Sequence, residues 1–415
     1  ASGAAVEMQV PLVPFRVEHY GRLFPPDPPF PYLPNKRGRV RLIIGEPISF
    51  PKGMSYREAT ERMRQALDLA GDWAGLIKPG QKVLIKPNLV TAAPPERAVT
   101  THPAVVEGLI RLVQEAGGEA WVGDSPGYGD PVRVAERAGI LEVCRATGAR
   151  FVPFREVKEV PLPEGRVIKR FPLAAAVVEA DLVISAAKLK THGLMTYTGV
   201  VKNLFGCIVG LDKPGFHLRL RRRELFGAML LDLYLAVRPA FVLLDGVVAM
   251  EGEGPSHGDP RPLKVLLAGS DGLAVDDVAL RIIGVPRWRV PYLEEAQRRG
   301  LLGEYRTAGL DLREVAVGDF RLPTGQEVVP WLPPRWSDLL ARHLSPRPVV
   351  DPARCLGCGV CAESCPPGAI AIQAGRARID DRSCIHCYCC QELCPRGAVS
   401  LRRPWLSRWS HFGRT

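Results

Sequence analysis

The chain of 415 residues contains no run of about 18 consecutive apolar residues, so no helix is expected to span a membrane. Residues 1–34 are rich in proline and lack the apolar stretch of a signal peptide. Three familiar fingerprints are missing as well. No G-x-G-x-x-G follows an apolar run, which removes the standard dinucleotide loop. No G-x-x-x-x-G-K-[ST] occurs, which removes the common phosphate loop, and no H-E-x-x-H occurs, which removes a zinc-protease helix. Lysine is scarce, with 12 among 55 basic residues, so the net charge of +11 is mostly arginine. A solvated surface, acidic protein partners or small anions account for that charge. No nucleic-acid motif accompanies it, and nucleic acid is not expected as a partner.

Cysteine is present but unevenly spread. Nine of the eleven lie in the last 65 residues. Cys355, Cys358, Cys361 and Cys365 read C-x2-C-x2-C-x3-C and are followed by Pro366. The pattern returns 29 residues later as Cys384, Cys387, Cys390 and Cys394, followed by Pro395. Three cysteines two residues apart wrap a short loop around three irons of a cubane, and the fourth iron must be reached from elsewhere. The run is that of a bacterial two-cluster ferredoxin, in which the fourth cysteine crosses to the other cluster. Two [4Fe–4S] clusters are therefore expected. Cys355, Cys358, Cys361 and Cys394 would hold one, and Cys384, Cys387, Cys390 and Cys365 the other. Paired zinc sites would use C-x2–4-C pairs, which this run does not resemble. The flanks repeat as well, Pro366-Pro367-Gly368-Ala369-Ile370 against Pro395-Arg396-Gly397-Ala398-Val399, so two copies of one unit should share a core. Cys389 is left over and reads as a small buried residue. Clustered thiolate ligands in an unexported chain point to a reducing, cytoplasmic compartment.

The rest divides by composition. Residues 1–55 form a proline-rich extension with one expected strand, Val40–Ile44. Residues 56–328 form an α/β domain, 329–348 a proline-rich linker, 349–401 the cluster domain, and 402–415 a basic tail carrying Trp405, Trp409 and Phe412. Within 56–328, short apolar runs at Val83–Ile85, Ala120–Gly123, Leu182–Ser185, Phe241–Leu244 and Val265–Ala268 alternate with helical stretches. Those stretches are Arg57–Leu69, Val105–Gln114, Pro131–Ala138, Arg221–Val237 (with Leu225, Met229 and Leu233 along one stripe) and Asp276–Ile283. The fold class is α/β, a doubly wound and mostly parallel sheet, with a small α+β two-cluster ferredoxin-like domain at the C-terminus.

Polar residues follow most of these apolar runs. In open α/β sheets, ligands sit outside the carboxyl ends of the strands. Five of the 12 lysines, Lys86, Lys188, Lys190, Lys202 and Lys213, fall in such segments. A lysine there can bind an anion, or give up a proton when desolvated. Lys86, Lys188, Lys190 and His192 are the candidates to stabilise developing negative charge or deliver protons. Asn88, Asp124, Ser125, Lys202, Asn203, Asp245 and Glu251 are the candidates to hold a substrate or cofactor. His192, His217 and His257 are of the type that titrates near neutrality, and Cys207 reads as inert and buried.

These segments together resemble the family known as domain of unknown function 362. The resemblance covers roughly residues 55–310. It rests on Val83-Leu84-Ile85-Lys86-Pro87-Asn88-Leu89-Val90, on Thr100-Thr101-His102-Pro103 with Val122-Gly123-Asp124-Ser125-Pro126, on Val201-Lys202-Asn203-Leu204-Phe205-Gly206, and on Met250-Glu251-Gly252-Glu253-Gly254-Pro255 followed by Asp271–Asp276. It implies an iron–sulfur protein of the reductase or electron-transfer kind and supplies no substrate. The leading expectation is an oxidoreductase whose clusters relay electrons to an anionic small molecule at the rim, with a redox partner protein on the other side. A carrier whose α/β domain only docks a partner enzyme, and a metallocofactor maturation factor, are the alternatives.

Overall fold

The computed structural model describes residues 73–210, 212–305, 312–324 and 345–402, with four short strands at Pro11–Leu12, Val17–Tyr20, Arg39–Leu42 and Ile48–Ser49. The expected helix Arg57–Leu69, most of the proline-rich linker and the aromatic tail lie outside the described residues. The expected strand Val40–Ile44 overlaps Arg39–Leu42, which pairs antiparallel with Val17–Tyr20.

The centre of the molecule is a seven-stranded sheet. Its strands are β1 (Lys82–Lys86), β2 (Glu119–Val122), β3 (Arg150–Phe151), β4 (Leu182–His192), β5 (Thr196–Thr198), β6 (Phe241–Glu251) and β7 (Asp259–Gly269). The order across the sheet is β7-β6-β4-β1-β2-β3, with β5 folded back on β4. The pairs β6–β4, β4–β1, β1–β2 and β2–β3 are parallel, and β6–β7 is antiparallel. Parallel strands buried on both faces read as continuous apolar runs, as Val83-Leu84-Ile85 and Phe241-Val242-Leu243-Leu244 do. Their side chains alternate between two cores. Val83, Ile85, Ile184, Phe241 and Leu243 point to one, and Leu84, Val183, Val242 and Leu244 to the other.

Helices cover both faces. On the first lie α1 (Pro103–Glu115), α2 (Pro131–Arg137) and α3 (Ile140–Thr147). On the second lie α4 (Val200–Asn203), α5 (Asp212–Arg219), α6 (Arg223–Val237), α7 (Gly272–Ile282) and α8 (Pro291–Arg298). The start signals are explicit. Asp130 caps α2 through Val132 N and Arg133 N, ahead of Pro131, and Asp271 caps α7.

Three details differ from the sequence reading. Leu225 was expected on the buried stripe of α6 but is 41% exposed. The helix is buried on nearly all sides from Phe226 onward, and only its first turn reaches solvent. The last strand of the sheet runs antiparallel, as half of a long hairpin with β6. Strands β4 and β6 also do not stop at the ends of their apolar runs. They continue through bulges at Lys188/Lys190 and Gly246/Val248 to His192 and Glu251. A bulge re-aims the side chains that follow it, and that decides which polar residues meet.

The C-terminal unit contains two small hairpin-like pairs, β8 (Arg347–Val350) with β11 (Val399–Arg402) and β9 (Ile370–Gln373) with β10 (Arg376–Ile379). Short helices α9 (Val360–Glu363) and α10 (Cys389–Leu393) complete it. Among the described residues no helix is long and apolar enough to cross a membrane.

Candidate functional site: a cationic cavity at the seam with the cysteine domain

Chain order reverses between β1 and β4, which are neighbours although β2 and β3 intervene in sequence. Lys86 and Ser185 are paired there in register. Segments leaving β1, β2 and β4 therefore diverge on either side of a crevice, the usual ligand position in such sheets. A cavity occupies it, with an empty volume of about 700 Å³, part of it open to solvent.

Lysines dominate its charge. Lys190, Lys202 and Lys213 line it, with Asp124 and Glu392 as the carboxylates. Asp124 is already engaged, because its Oδ1 lies 2.8 Å from Lys86 Nζ and its Oδ2 accepts from Leu89 N at 2.7 Å. Gly206 makes that pair possible: a Cβ there would sit 2.1 Å from Asp124 Oδ1 and 2.7 Å from Lys86 Nζ. Lys190 donates to Asn88 Oδ1 at 2.7 Å and to Val99 O at 2.6 Å. Lys213 donates to Ser125 O and Oγ, both at 2.7 Å, and to Pro126 O at 2.9 Å. Burial pushes both ammonium groups down to about 7, against the pull of Glu392 on Lys190 and of Asp124 on Lys213. Lys202 differs. Its Nζ stands 5.1 Å from the centre of the Phe205 ring, and among the described residues it makes no hydrogen bond or ion pair. Burial lowers its pKa too.

The segment that carries Lys202 is held from behind. Buried Asp276 accepts from Val200 N at 2.8 Å, Val201 N at 3.0 Å, Tyr197 Oη at 2.9 Å and Tyr292 Oη at 3.0 Å. Asn203 is fixed on both ends of its amide. Its Oδ1 accepts from Lys86 Nζ and Asn88 Nδ2, and its Nδ2 donates to Lys86 O and Ser185 Oγ, all at 3.1–3.2 Å. Three strand ends are thus tied into one polar layer beneath the cavity.

Burial lowers the pKa of all three histidines singled out in the sequence. Desolvation holds His192 well below its usual value, takes His217 down to about 3, and lowers His257. His192 Nδ1 accepts from Leu194 N at 3.1 Å and Met195 N at 3.3 Å. The neutral ring must then carry its proton on Nε2, which lies 3.6 Å from Glu392 Oε2. His192 is a fixed donor facing the cavity wall.

The eight cysteines with metal-binding spacing surround two further cavities. Cys355, Cys358, Cys361 and Cys394 line one of about 360 Å³, and Cys365, Cys384, Cys387 and Cys390 line one of about 310 Å³. The spacing divides them in the same crossed way. Ala369 N donates to Cys365 Sγ and Ala398 N to Cys394 Sγ, both at 3.2 Å, so the internal repeat extends to hydrogen bonding. Ala377 N donates to Cys355 Sγ at 3.4 Å. Four cysteines converging on each cavity, three of the eight accepting a backbone N–H, suit the ligand set of a cubane in each.

Residues 83–281 match the family model described as a domain of unknown function (DUF362), and residues 347–398 match a 4Fe-4S dicluster domain. The chain is 36% identical over 282 residues to a thylakoid-associated protein of Synechocystis sp., an alignment covering 66% of this chain and 87% of that protein.

The chain belongs to the DUF362 family.

Among solved structures, it is similar to the lactate racemase apoprotein of Thermoanaerobacterium thermosaccharolyticum, at 15% identity and a TM-score of 0.36 over 56% of this chain and 60% of that one. A protein from Thermotoga maritima gives 14%, 0.33, 55% and 58%. This DUF362 chain thus spans less than two thirds of either structure. Its dicluster domain gives it an iron–sulfur electron-transfer role.

The DUF362 unit gathers only some of the residues singled out in the sequence. Asn88, Asp124, Ser125, Lys190, His192, Lys202 and Asn203 line the cavity. Lys86 lies behind that wall, fully buried against Asp124 and Asn203. Lys188 is not brought to the cavity: its Nζ is sealed 2.8 Å from Asp245 Oδ2, and that carboxylate also accepts from His102 N at 3.0 Å. Glu251 is likewise apart, tied to Arg321 at 2.9 Å. Cys207 is buried, and burial pushes its thiol up to about 12.

Other wall residues were not legible in the sequence. Ser364, Cys389, Glu392 and Leu393 come from the cysteine domain and close the cavity from the far side. Gln391 Nε2 donates to Glu253 O at 3.1 Å, and Tyr128 Oη lies 3.1 Å from Glu363 Oε2 across the same seam. Nothing in the local sequence signals this docking, because the partners are more than a hundred residues apart.

Proposed function

We propose that this protein is an iron–sulfur oxidoreductase that delivers single electrons to an anionic substrate or bound cofactor in the seam cavity. One observation carries the reading. Cys389 belongs to the wall of the second cysteine cavity and to the wall of the cationic cavity, so a single residue separates a cluster site from a ligand site. The clusters, when bound, supply one-electron reducing equivalents. The chain's own residues do the rest. Lys202, which makes no hydrogen bond or ion pair among the described residues, pairs with the anion. Lys190 and Lys213, whose pKa values burial brings to about 7, become more fully charged beside the anion and stabilise it electrostatically. His192 offers a fixed Nε2–H donor, and α10 with Leu89, Phe205 and Leu393 limits the access of water.

The test is anaerobic purification of the fully metallated chain, followed by native mass spectrometry of small molecules that travel with it. An anionic molecule should be retained by the wild-type protein and lost from Lys202→Gln with the iron content unchanged. A ligand held equally by Lys202→Gln, or a cavity that retains nothing and binds no anion added back, overturns the proposal.

A further inference from the structure

The two cysteine cavities differ in what they adjoin. The second shares Cys389 with the wall of the cationic cavity, and the first shares no wall residue with it. Cys358 is the one exposed cysteine among the described residues. Leu356 is 66% exposed and Ile372 39%, and both share the wall of the first cavity with Cys355, Cys358, Cys361 and Cys394. Leu356 is the most exposed large apolar side chain among the described residues, and Ile372 shares a cavity wall with it. An apolar pair beside a redox site, rather than scattered on the surface, marks a contact face.

Arginine predominates around the pair. The segments that build this end carry Arg354, Arg376, Arg378, Arg396 and Arg402, with Asp351, Glu363, Asp380 and Asp381 at their margins. Arg354, Arg376, Arg378 and Arg396 are exposed. Arg396 itself lines the first cavity, and Arg354 Nη1 donates to Gly397 O at 3.3 Å, which holds it beside the same edge.

We infer that the face bearing Leu356 and Ile372 docks an acidic one-electron carrier protein, which reduces this chain through the first cysteine cavity. The apolar pair provides the desolvated centre of the contact and the arginines its charged rim. In each encounter the carrier is oxidised by one electron and this chain is reduced by one. The inference rests on the electron-delivery reading only for the direction of flow. Docking is measured at the outer face, without any ligand in the cationic cavity.

The probe is an acidic flavodoxin, used with the full chain carrying both clusters. Its dissociation constant in the oxidised form is measured by titration calorimetry at low salt. Its rate of bleaching the cluster absorbance, when supplied as the hydroquinone, is measured by anaerobic stopped flow, with dithionite as a small reductant for comparison. Leu356→Asp and the double variant Arg354→Glu/Arg378→Glu should weaken binding and slow bleaching by about tenfold or more, within the range expected of electrostatic steering. In the arginine variant, whose residues lie outside the cavity wall, iron content and the dithionite rate should stay at wild-type values. Arg170→Glu, an exposed change on the DUF362 unit, should leave flavodoxin binding unchanged. Wild-type binding and bleaching in both face variants, or an equal loss in Arg170→Glu, would overturn the assignment.

Discussion

Lys86 Nζ and Asp124 Oδ1 stand 2.8 Å apart with both side chains sealed from solvent. The pair joins the end of β1 to the end of β2 and, through Asn203, to the helix that carries Lys202. Breaking one member of a buried pair leaves the other charged and unmatched, at a cost of about 3–5 kcal/mol. Lys86→Met should therefore lower the urea midpoint of the DUF362 unit strongly. In a double-mutant cycle with Asp124→Asn, the coupling should exceed about 1 kcal/mol. Additive effects would mean that the two residues are neighbours without being partners.

The depressed lysines make anion binding dependent on pH. Lys190 and Lys213 sit at about 7 in the folded chain because burial disfavours their charge. An anion favours the charged form and so raises both pKa values. Binding then takes up protons near pH 7–8, and affinity falls as pH rises above 7, by up to about tenfold per pH unit for each proton taken up. Calorimetry with inorganic phosphate as the probe, in buffers of different ionisation enthalpy, measures that uptake. Lys190→Met should reduce it, and a profile flat from pH 6.5 to 9 would contradict the assignment.

The same shift affects stability, with a definite sign. A lysine whose folded pKa lies near 7, against an unfolded value near 10.4, is neutral in the fold while still charged in the unfolded chain. The destabilisation it causes is full below pH 7 and is relieved as pH rises from about 7 to 10. Thermal midpoints of the wild type and Lys190→Met should converge as pH is raised across that window.

At the seam, Gly127 leaves no room for a side chain. A Cβ there would approach Leu393 Cδ2 to 2.7 Å. Gly127→Val should push α10 away, with an overpacking penalty of about 1–3 kcal/mol. Hydrogen exchange should rise in Cys389–Leu393 and stay unchanged in the helix Gly272–Ile282.

The crossed cysteines predict a split in iron loss. Cys394→Ser should deplete the cluster of Cys355, Cys358 and Cys361, and Cys365→Ser the cluster of Cys384, Cys387 and Cys390. Each variant should lose about half the iron if the other cluster forms alone. Cys389→Ala should lose none, because Cys389 is the ninth thiol. Iron and sulfide analysis with electron paramagnetic resonance reads all three.

What the sequence determined by itself was local. The paired C-x2-C-x2-C-x3-C-P runs fix the cluster ligands through spacing alone, since each loop wraps its own cubane. The apolar runs at Val83–Ile85 and Phe241–Leu244 announce strands buried on both faces, and Asp130-Pro131 and Asp271-Gly272 announce helix starts. The sequence could also place Lys86, Lys188, Lys190 and Lys202 near one rim. Only the tertiary structure decided which of them faces a ligand. Parallel register sets Lys188 directly across from Asp245 as a closed pair, and beyond the bulges that follow in β4 and β6 Lys190 lies on the cavity wall. The α10 helix brings Cys389 and Glu392 against Lys202, about 190 residues away in the chain. Strand periodicity is a property of neighbouring residues and can be read in order, whereas domain docking depends on surfaces that exist only after both units have folded.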